Sequence, residues 1–431
     1  MNNFLKGIRD IFYIKELRTR IKNTLLFLLL FRAGACIALP GIDMTKVSGN
    51  VKGVLGLLDS FLGGSFSKAS VFALGVAPYI SASIVMQLLS IAWPRVQKIQ
   101  REGEMGRRKI AQISRILTVF LAVFQSFQYL LATSSHENVS IDRTFFIAIS
   151  IVILTAGTLF CMWLGERITD KGIGNGVTML IMVGIVSSFP GALYQEIVHR
   201  GSRGLLLFVL ELLLLFFIVG AVVAFTQATR KIPIQYAKQL SGSTIYGGKR
   251  QYIPLKLNSA GVMPIIFAQL LIVLISFFLS VGSKRFAWMA TTSAKLQDMT
   301  SWPFNVLFAF LIVLFTFFYT AITVNPVKIA EEMKKSNSFV PGITSGNATA
   351  RFLDEVLDRI TLPGAVFLAL IAVLPSFAYM AGLSLPFSRF YGGTSLLIMV
   401  SSMLETMQQV ESYLLMRRYE VIINSGARIR S

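Results

Sequence analysis

Few residues in this chain have the types and spacing that catalysis or metal binding would need. The two histidines, His136 and His199, lie far apart in predicted loops, and neither has carboxylates at metal-ligand spacing. The two cysteines, Cys36 and Cys161, each lie within an apolar run, which is typical of small buried side chains. These patterns predict neither a metal centre nor a disulfide framework.

A nucleotide site is not indicated either. A phosphate-binding loop reads GxxxxGK[ST], in which the lysine reaches the phosphates. The nearest approach is residues 242–247 (GSTIYG), and it is followed by Gly248 where the lysine is required. We therefore expect no bound nucleotide and no cofactor.

Coupled solute transport usually requires ionisable residues inside the membrane. Within apolar runs this chain offers Arg32, Glu211 and Glu405, and each lies close enough to the end of a run for its charge to reach the headgroups. A pathway through the chain would therefore be lined by apolar side chains. That lining suits a sealed hydrophobic constriction better than a solute-binding site.

The composition indicates that much of the chain is surrounded by lipid. Hydrophobic residues make up 54% of the 431 residues and charged residues 14%, and the mean hydropathy is +0.66. A span of the hydrocarbon core needs about 20 mostly apolar residues. The length therefore supplies about ten spans with their loops and leaves no room for a large soluble domain. The net charge of +20 comes from residues in short loops between apolar runs, which argues against nucleic-acid binding.

Ten spans are predicted, and the basic residues give their orientation. Most of the 41 lysine and arginine residues lie in loops on the side of the N-terminus. Because these residues are retained on the cytoplasmic side, both termini of this multi-pass chain are predicted to be cytoplasmic. The spans are residues 23–39, 70–91, 110–131, 145–164, 177–190, 205–226, 260–281, 305–324, 361–380 and 393–414.

Some segments differ from simple spans or loops. Residues 54–61 predict a short amphipathic helix, too short to cross, which ends at Gly63 and Gly64. It would lie half-inserted in a cavity or, alternatively, flat at the membrane surface. Pro78 and Pro264 interrupt the second and seventh spans, which correspond if the chain is two five-span halves, 1–195 and 196–431. The fold class predicted is an all-α membrane protein with two pseudo-symmetric halves around a central pore.

Seven groups of residues, in order along the chain, resemble the SecY family, the channel-forming subunits of bacterial protein-export translocases. They are residues 67–83 (SKASVFALGVAPYISAS), 101–104 with 106–109 (REGE, GRRK), 163–169 with 172–176 (WLGERIT, GIGNG), 236–238 (YAK), 254–258 (PLKLN), 339–343 (FVPGI) and 392–398 (GGTSLLI). One such string would carry little weight, whereas seven across ten spans make coincidence implausible.

The resemblance implies an hourglass channel that is closed midway by a ring of aliphatic side chains and capped from outside by a plug helix. It also implies a lateral gate between spans two and three and spans seven and eight, to which Gln87 and Gln125 would contribute polar contacts. The implied ring is Val76, Ile80, Val177, Ile181, Ile266 and Ile398. The implied plug residues are Val54, Leu55, Leu57, Leu58 and Phe61.

The long loops, residues 227–257 and 325–359, are the predicted docking surfaces for a motor or a ribosome. The basic residues assigned to docking are Lys249, Arg250, Lys334, Lys335 and Arg351. The family commonly has an arginine after Pro-Gly-Ile, where this chain has Thr344, so one docking contact does not carry over directly. The family further implies SecE-like and SecG-like membrane subunits, a SecA-like ATPase motor, the ribosome, signal-bearing preproteins and membrane lipids as partners.

Two other functions compete with a non-enzymatic protein channel. A secondary solute transporter with inverted repeats would need intramembrane ionisable groups and a defined small ligand. A membrane-embedded enzyme would need a catalytic cluster facing a cavity. The sequence shows neither feature, so the channel is the preferred interpretation.

Overall fold

The protein is described here from a computed structural model, and it is largely helical. The structure describes residues 14–41, 69–133, 142–201, 204–236, 239–241, 244–246, 250–282, 287–298 and 300–428. The helices in chain order are α1 (Lys15–Ala35), α2 (Ala77–Ala92), α3 (Pro94–Arg101), α4 (Glu104–Thr133), α5 (Arg143–Lys171), α6 (Gly176–Arg200), α7 (Leu205–Gln227), α8 (Met263–Gly282), α9 (Ala287–Gln297), α10 (Trp302–Thr323), α11 (Pro326–Lys335), α12 (Asn347–Met380), α13 (Leu385–Ser388) and α14 (Gly393–Arg428), with a 3-10 turn at Arg389–Tyr391.

Each of the ten predicted spans coincides with one of these helices, which confirms the helical class. Within the described ranges, six helical stretches are long and apolar enough to cross a membrane, and Ala77–Ala92 and Met263–Ser276 are shorter apolar helices. The predicted boundaries differ most at the C-terminal spans. Helix α12 begins well before residue 361, and α14 continues beyond residue 414. The additional residues are polar, so an apolar run does not include them although they are helical.

The chain forms two compact units. The first unit contains Met1–Ala192 and Ser402–Ser431, and the second contains Leu193–Ser401. The chain passes from the second unit back to the first within helix α14.

Helices α2, α4, α5 and α1 pack side by side in the first unit around a core that includes Leu74, Leu130 and Leu154. Two glycines allow the segment before α2 to approach its neighbours closely. A Cβ on Gly157 would lie 2.4 Å from the carbonyl oxygen of Val71, and one on Gly34 would lie 2.0 Å from the ring of Phe72. The positions of these glycines therefore fix the irregular backbone that leads into α2.

The loop between α5 and α6 is held by two other helices of the same unit. The Ile173 N–H donates to Thr24 Oγ1 of α1 at 3.0 Å, and the Gly174 N–H donates to Gln409 Oε1 of α14 at 2.7 Å. Gly174 has a positive φ of 80°, a conformation that favours glycine. This loop thereby joins α1 and the last part of α14 to α5 and α6.

The two long loops of the second unit are partly folded into sheets, which the sequence analysis did not predict. The strands are β1 (Thr229–Tyr236), β2 (Gln239–Ser241), β3 (Thr244–Tyr246), β4 (Arg250–Lys256) and β5 (Ser338–Phe339). Strand β1 lies between β4 and β5 in an antiparallel sheet, and β2 pairs with β3. One strand of the larger sheet therefore comes from the second long loop and the other two come from the first.

Candidate channel constriction and docking platform

The first two ring candidates lie where helix α2 starts. Pro78 is the second residue of α2, where its missing N–H costs no hydrogen bond, so the predicted interruption is in fact a helix start. The Ile80 N–H donates to the carbonyl oxygen of Val76 at 3.1 Å, which places the two side chains one turn apart. Val76 is buried and Ile80 is half-buried.

The non-helical residues that precede α2 have their own backbone partners. The Leu39 N–H donates to the Ala69 carbonyl oxygen, and the Val71 N–H donates to the Ile37 carbonyl oxygen, each at 2.9 Å. Interrupted backbone at membrane depth requires such partners, because lipid supplies none. The segment after α1 thus stabilises the position of Val76.

Helix α8 in the second unit starts in the same way. Residues 261–266 (GVMPII) repeat the pattern G-V-x-P-x-I of residues 75–80 (GVAPYI), and the two glycines have positive φ angles of 64° and 49°. The Ile266 N–H donates to the Val262 carbonyl oxygen at 3.4 Å, as Ile80 does to Val76. Ile266 is half-buried and occupies the same place in α8 as Ile80 in α2.

This repeat identifies a residue that the sequence analysis missed. Val262 is the counterpart of Val76, yet the implied ring contained only Ile266 from the seventh span. The shared hexapeptide was visible in the sequence and would have identified Val262 as a further candidate.

Val177 and Ile181 lie in the first two turns of α6, on one face of the helix. Thr169 Oγ1 accepts from the Gly176 N–H at 2.9 Å, and Asn175 Oδ1 accepts from the Val177 N–H at 3.1 Å, so side chains satisfy the free donors of the helix start. Ile181 is buried and Val177 is half-buried. Close packing against α5 fixes this end, because a Cβ on Gly176 would lie 1.9 Å from the Gly165 carbonyl oxygen.

Ile398 is buried in the second turn of α14. Two glycines precede it, and the start of α14 approaches α12 closely there, since a Cβ on Gly392 would lie 2.4 Å from the Ile371 carbonyl oxygen. The aliphatic candidates therefore share one feature within their own units: each lies at the start of a helix or within its first two turns. Their side chains have no hydrogen-bonding group with which to solvate an ion.

The two gate candidates both lie in the first unit. Gln125 on α4 donates from Nε2 to Ser81 Oγ on α2 at 3.5 Å, which is a polar contact between spans two and three. Gln87 is half-buried on α2, and its carbonyl oxygen accepts from Ser90 Oγ at 2.6 Å. This contact lies within one side of the predicted gate, and the gate itself stays a prediction.

Lys334, Lys335 and Arg351 are exposed on a small folded platform in the second unit, which we define as β1, β4, β5, α11 and the first three turns of α12. Its core contains, in order, Ile232, Ile234, Leu255, Met333, Val340, Leu353 and Leu357. Arg250 is the first residue of β4 and pairs with Gln235, whereas Lys249 lies outside the described residues.

The platform has further exposed cations that were not predicted as docking residues. They are Arg230 and Lys231 on β1, Lys256 on β4 and Lys328 on α11. The alternation of Ile232 and Ile234 with exposed residues was the available indication of a strand at this place. Thr344, which stands where the family commonly has arginine, is exposed and its carbonyl oxygen accepts from Thr349 Oγ1 at 2.9 Å.

The remaining predicted features concern metals and the plug. Among the residues that the structure describes, no group of three or more histidine, cysteine, aspartate or glutamate side chains is arranged to hold a metal ion. The plug residues Val54, Leu55, Leu57, Leu58 and Phe61 lie outside the described residues. The plug therefore stays a prediction from the sequence.

Comparison with known proteins identifies the family of the chain. The family profile named SecY matches residues 70–407. A protein translocase subunit SecY from Streptomyces lividans is 41% identical over 436 residues, covering 96% of this chain and 99% of that protein. A protein of the same name from Vibrio cholerae is 40% identical over 428 residues, covering 96% of this chain and 95% of that protein.

Solved channel structures have the same fold. A structure described as that of a protein-conducting channel matches with a TM-score of 0.62 at 16% identity, covering 92% of each chain. Sec61 in the canine ribosome–channel complex matches with a TM-score of 0.59 at 16% identity, again covering 92% of each chain. On the family profile and the near full-length identity, this chain is a multi-pass, largely helical membrane protein that belongs to the SecY family.

Proposed function

We propose that this chain is the protein-conducting channel subunit of a bacterial Sec translocase. It passes unfolded secretory polypeptides across the plasma membrane and releases apolar segments sideways into lipid. The observation that carries the proposal is the relationship, at about 40% identity over nearly the whole chain, to subunits named as protein translocases. The channel does no chemistry itself, since the family is not enzymatic.

A hydrophobic constriction explains how the channel can block ions and still pass polypeptides of different sequence. Val76, Ile80, Val177, Ile181, Ile266 and Ile398 form the proposed ring. A narrow ring of aliphatic side chains expels water, so an ion that loses its hydration shell there finds no replacement. The same side chains deform around a passing polypeptide without recognising any one sequence.

The remaining parts of the proposal complete the resting and open states. The plug at residues 54–61 covers the ring from outside, and the gate at Gln87 and Gln125 opens toward lipid. Residues 1–195 and 196–431 act as the two halves, and both termini are cytoplasmic. The repeated G-V-x-P-x-I start of α2 and α8 supports two related halves.

The work of transport comes from partners that dock on the platform. Structural relatives include channels in ribosome complexes, which supports association with a ribosome and assembly into a translocase. A SecA-like ATPase would dock on the same basic surface. SecE-like and SecG-like subunits would pack on the membrane helices.

Site-specific photocrosslinking from Ile266 tests the channel function. A photoreactive residue at position 266 should crosslink to a signal-bearing preprotein during arrested export, because the preprotein must pass the constriction. The matched control is position 274 on the same helix, because Leu274 is exposed and lies about two turns beyond Ile266. Crosslinks are resolved by immunoblotting against the preprotein.

A crosslink at position 266 that requires the arrested chain, with none at position 274, is the expected result. Failure to crosslink at 266 in an export-competent preparation would contradict the channel pathway. Solute screening would then follow, because an inverted-repeat transporter would become the better explanation.

Charge reversal on the platform should slow export. Lys334→Glu with Lys335→Glu places two negative charges where an anionic partner surface must approach, so docking weakens and the initial rate of preprotein import into vesicles falls roughly fivefold at low salt. The control is Lys295→Glu on α9, an exposed lysine at the end of the molecule predicted to be external. Equal import rates in the two variants would show that the platform is not the docking surface.

A further inference from the structure

A buried cluster of charged side chains lies at the end of the second unit where α6 stops and α7 begins. Arg200 Nε donates to Glu196 Oε1 at 3.1 Å, and Arg200 Nη2 donates to Glu211 Oε1. The side chain of Glu196 is 0% exposed, that of Arg200 19% and that of Glu211 10%. The three side chains therefore form an ion-paired cluster that is largely removed from solvent.

The cluster also binds the segment that joins α12 to α14. Glu196 Oε2 accepts hydrogen bonds from both the N–H of Ser384, at 2.8 Å, and its hydroxyl. At the other end of the segment, the Tyr391 hydroxyl donates to the main-chain carbonyl oxygen of Glu211 at 2.7 Å. Burial, and then the negative charges of Glu211 and Glu196, raise the pKa of Tyr391, so its hydroxyl keeps its proton and remains a donor.

Stability alone is a poor explanation for this arrangement. Two carboxylates share one guanidinium, and Glu211 Oε2 is buried without a hydrogen-bond partner in the described part of the chain. Apolar residues of similar volume often replace such a buried group with no loss of stability, or even with a gain. What apolar residues would not supply are the two hydrogen bonds that Glu196 Oε2 accepts from Ser384. The bond from Tyr391 goes to the main-chain carbonyl of Glu211 and would remain, so the directed hold of the cluster side chains on the segment acts at Ser384.

The held segment leads directly into the helix that carries Ile398. Tyr391 is followed by Gly392 and Gly393, and α14 begins at Gly393. Ile398 is five residues further on, about 7.5 Å along the helix axis. Because a helix moves as a rigid element over this distance, the place of its first turn sets the place of the Ile398 side chain.

We propose that Glu196, Arg200 and Glu211 are positioning residues for the channel seal, which fix the segment 384–391 and thereby the depth and rotation of the first turns of α14. The inference rests on the proposed constriction at Ile398. The proposal gives the end of the second unit that lies away from the docking platform a part in keeping the resting channel closed.

Two variants test the proposal at different points. Ser384→Ala with Tyr391→Phe removes hydroxyl bonds from the segment and leaves the charged cluster intact. Glu196→Leu with Arg200→Met and Glu211→Leu removes the cluster and keeps its volume. Each chain is purified together with its membrane partners and reconstituted in vesicles of phosphatidylethanolamine and phosphatidylglycerol, and the efflux of trapped chloride is measured.

The triple variant should raise the resting efflux roughly tenfold, and the double variant roughly threefold, since a small shift of the closed state changes its population by such factors. Both should unfold thermally near the wild-type temperature, a combination that a merely structural role would not give. Tyr194→Phe, at an exposed tyrosine of α6, is the control and should not change the efflux.

Ile398→Asn in the same vesicles separates this inference from the function on which it rests. Efflux through Ile398→Asn together with tight triple and double variants would overturn the positioning role and leave the constriction standing. A tight Ile398→Asn channel would overturn both, because α14 would then carry no part of the seal. Leaky cluster variants beside a leaky Ile398→Asn variant support the proposal.

Discussion

Ile398→Asn is expected to raise the ion conductance of the resting channel by roughly tenfold, because a polar side chain lets water enter the constriction. Ile398 is buried in the second turn of α14, where its aliphatic side chain has no group that binds an ion. The asparagine amide supplies donors and acceptors at that place. The same change should let the channel accept preproteins with defective signal sequences, since less free energy is then needed to open it.

Leu396→Asn is the matched control for this experiment. Leu396 is as deeply buried as Ile398 and lies in the same turn of the same helix, but about 200° round the axis from it. Both asparagines bury an amide and destabilise the fold, so any difference in conductance reports the direction in which the side chain points. Single-channel recordings in planar bilayers provide the measurement, and equal conductance in the two variants would show that Ile398 does not line the seal.

Hydrophobic pattern was sufficient to find the spans, but it did not locate where their helices start. Residues 70–76 are apolar enough to be read as part of span two, yet they form turns. The helix starts only after them, because Gly75 has a positive φ and Pro78 lacks the N–H that a residue inside a helix would donate. Hydropathy measures which residues prefer lipid, and apolar non-helical backbone has the same preference when neighbouring backbone supplies its hydrogen bonds.

The platform illustrates a different limit of sequence reasoning. The sequence indicates its basic residues but predicts loops where the structure has strands. Strand β5 is only two residues long and pairs with β1 across about a hundred residues of chain. No local pattern specifies such a pairing, since its stability comes from the shared core around Ile232 and Leu353.

The individual ring residues came from the family resemblance, because an isolated aliphatic residue in an apolar helix carries no local mark of its role. The repeated hexapeptide at the starts of α2 and α8 is the exception, and it adds Val262 to the candidates. Glu211 shows a contact that the sequence does not specify. In the sequence it is one of three ionisable residues within apolar runs, and in the structure its carboxylate is bound by Arg200.

Arg200→Met should lower the free energy of unfolding by about 3–5 kcal/mol, because it leaves two buried carboxylates without their counter-charge. Glu196 and Glu211 are nearly inaccessible, so water cannot replace the guanidinium that each of them loses. The triple apolar variant removes the same arginine together with both carboxylates and should be far less destabilised. The protein would thus be stable with the complete cluster or with all three side chains replaced, and destabilised when the arginine alone is replaced.

Arg359→Met is the matched control, since Arg359 and Glu355 have the same four-residue spacing on α12 as Arg200 and Glu196 on α6. Their side chains are 78% and 62% exposed, so solvent screens the pair and its loss should cost less than about 1 kcal/mol. Equilibrium unfolding in mixed micelles with increasing dodecyl sulfate gives both values on one scale. A loss for Arg200→Met no larger than that for Arg359→Met would mean that the buried carboxylates take up protons at no measurable cost. The cluster would then hold its segment through hydrogen bonds to neutral acids, and the guanidinium would contribute little to it.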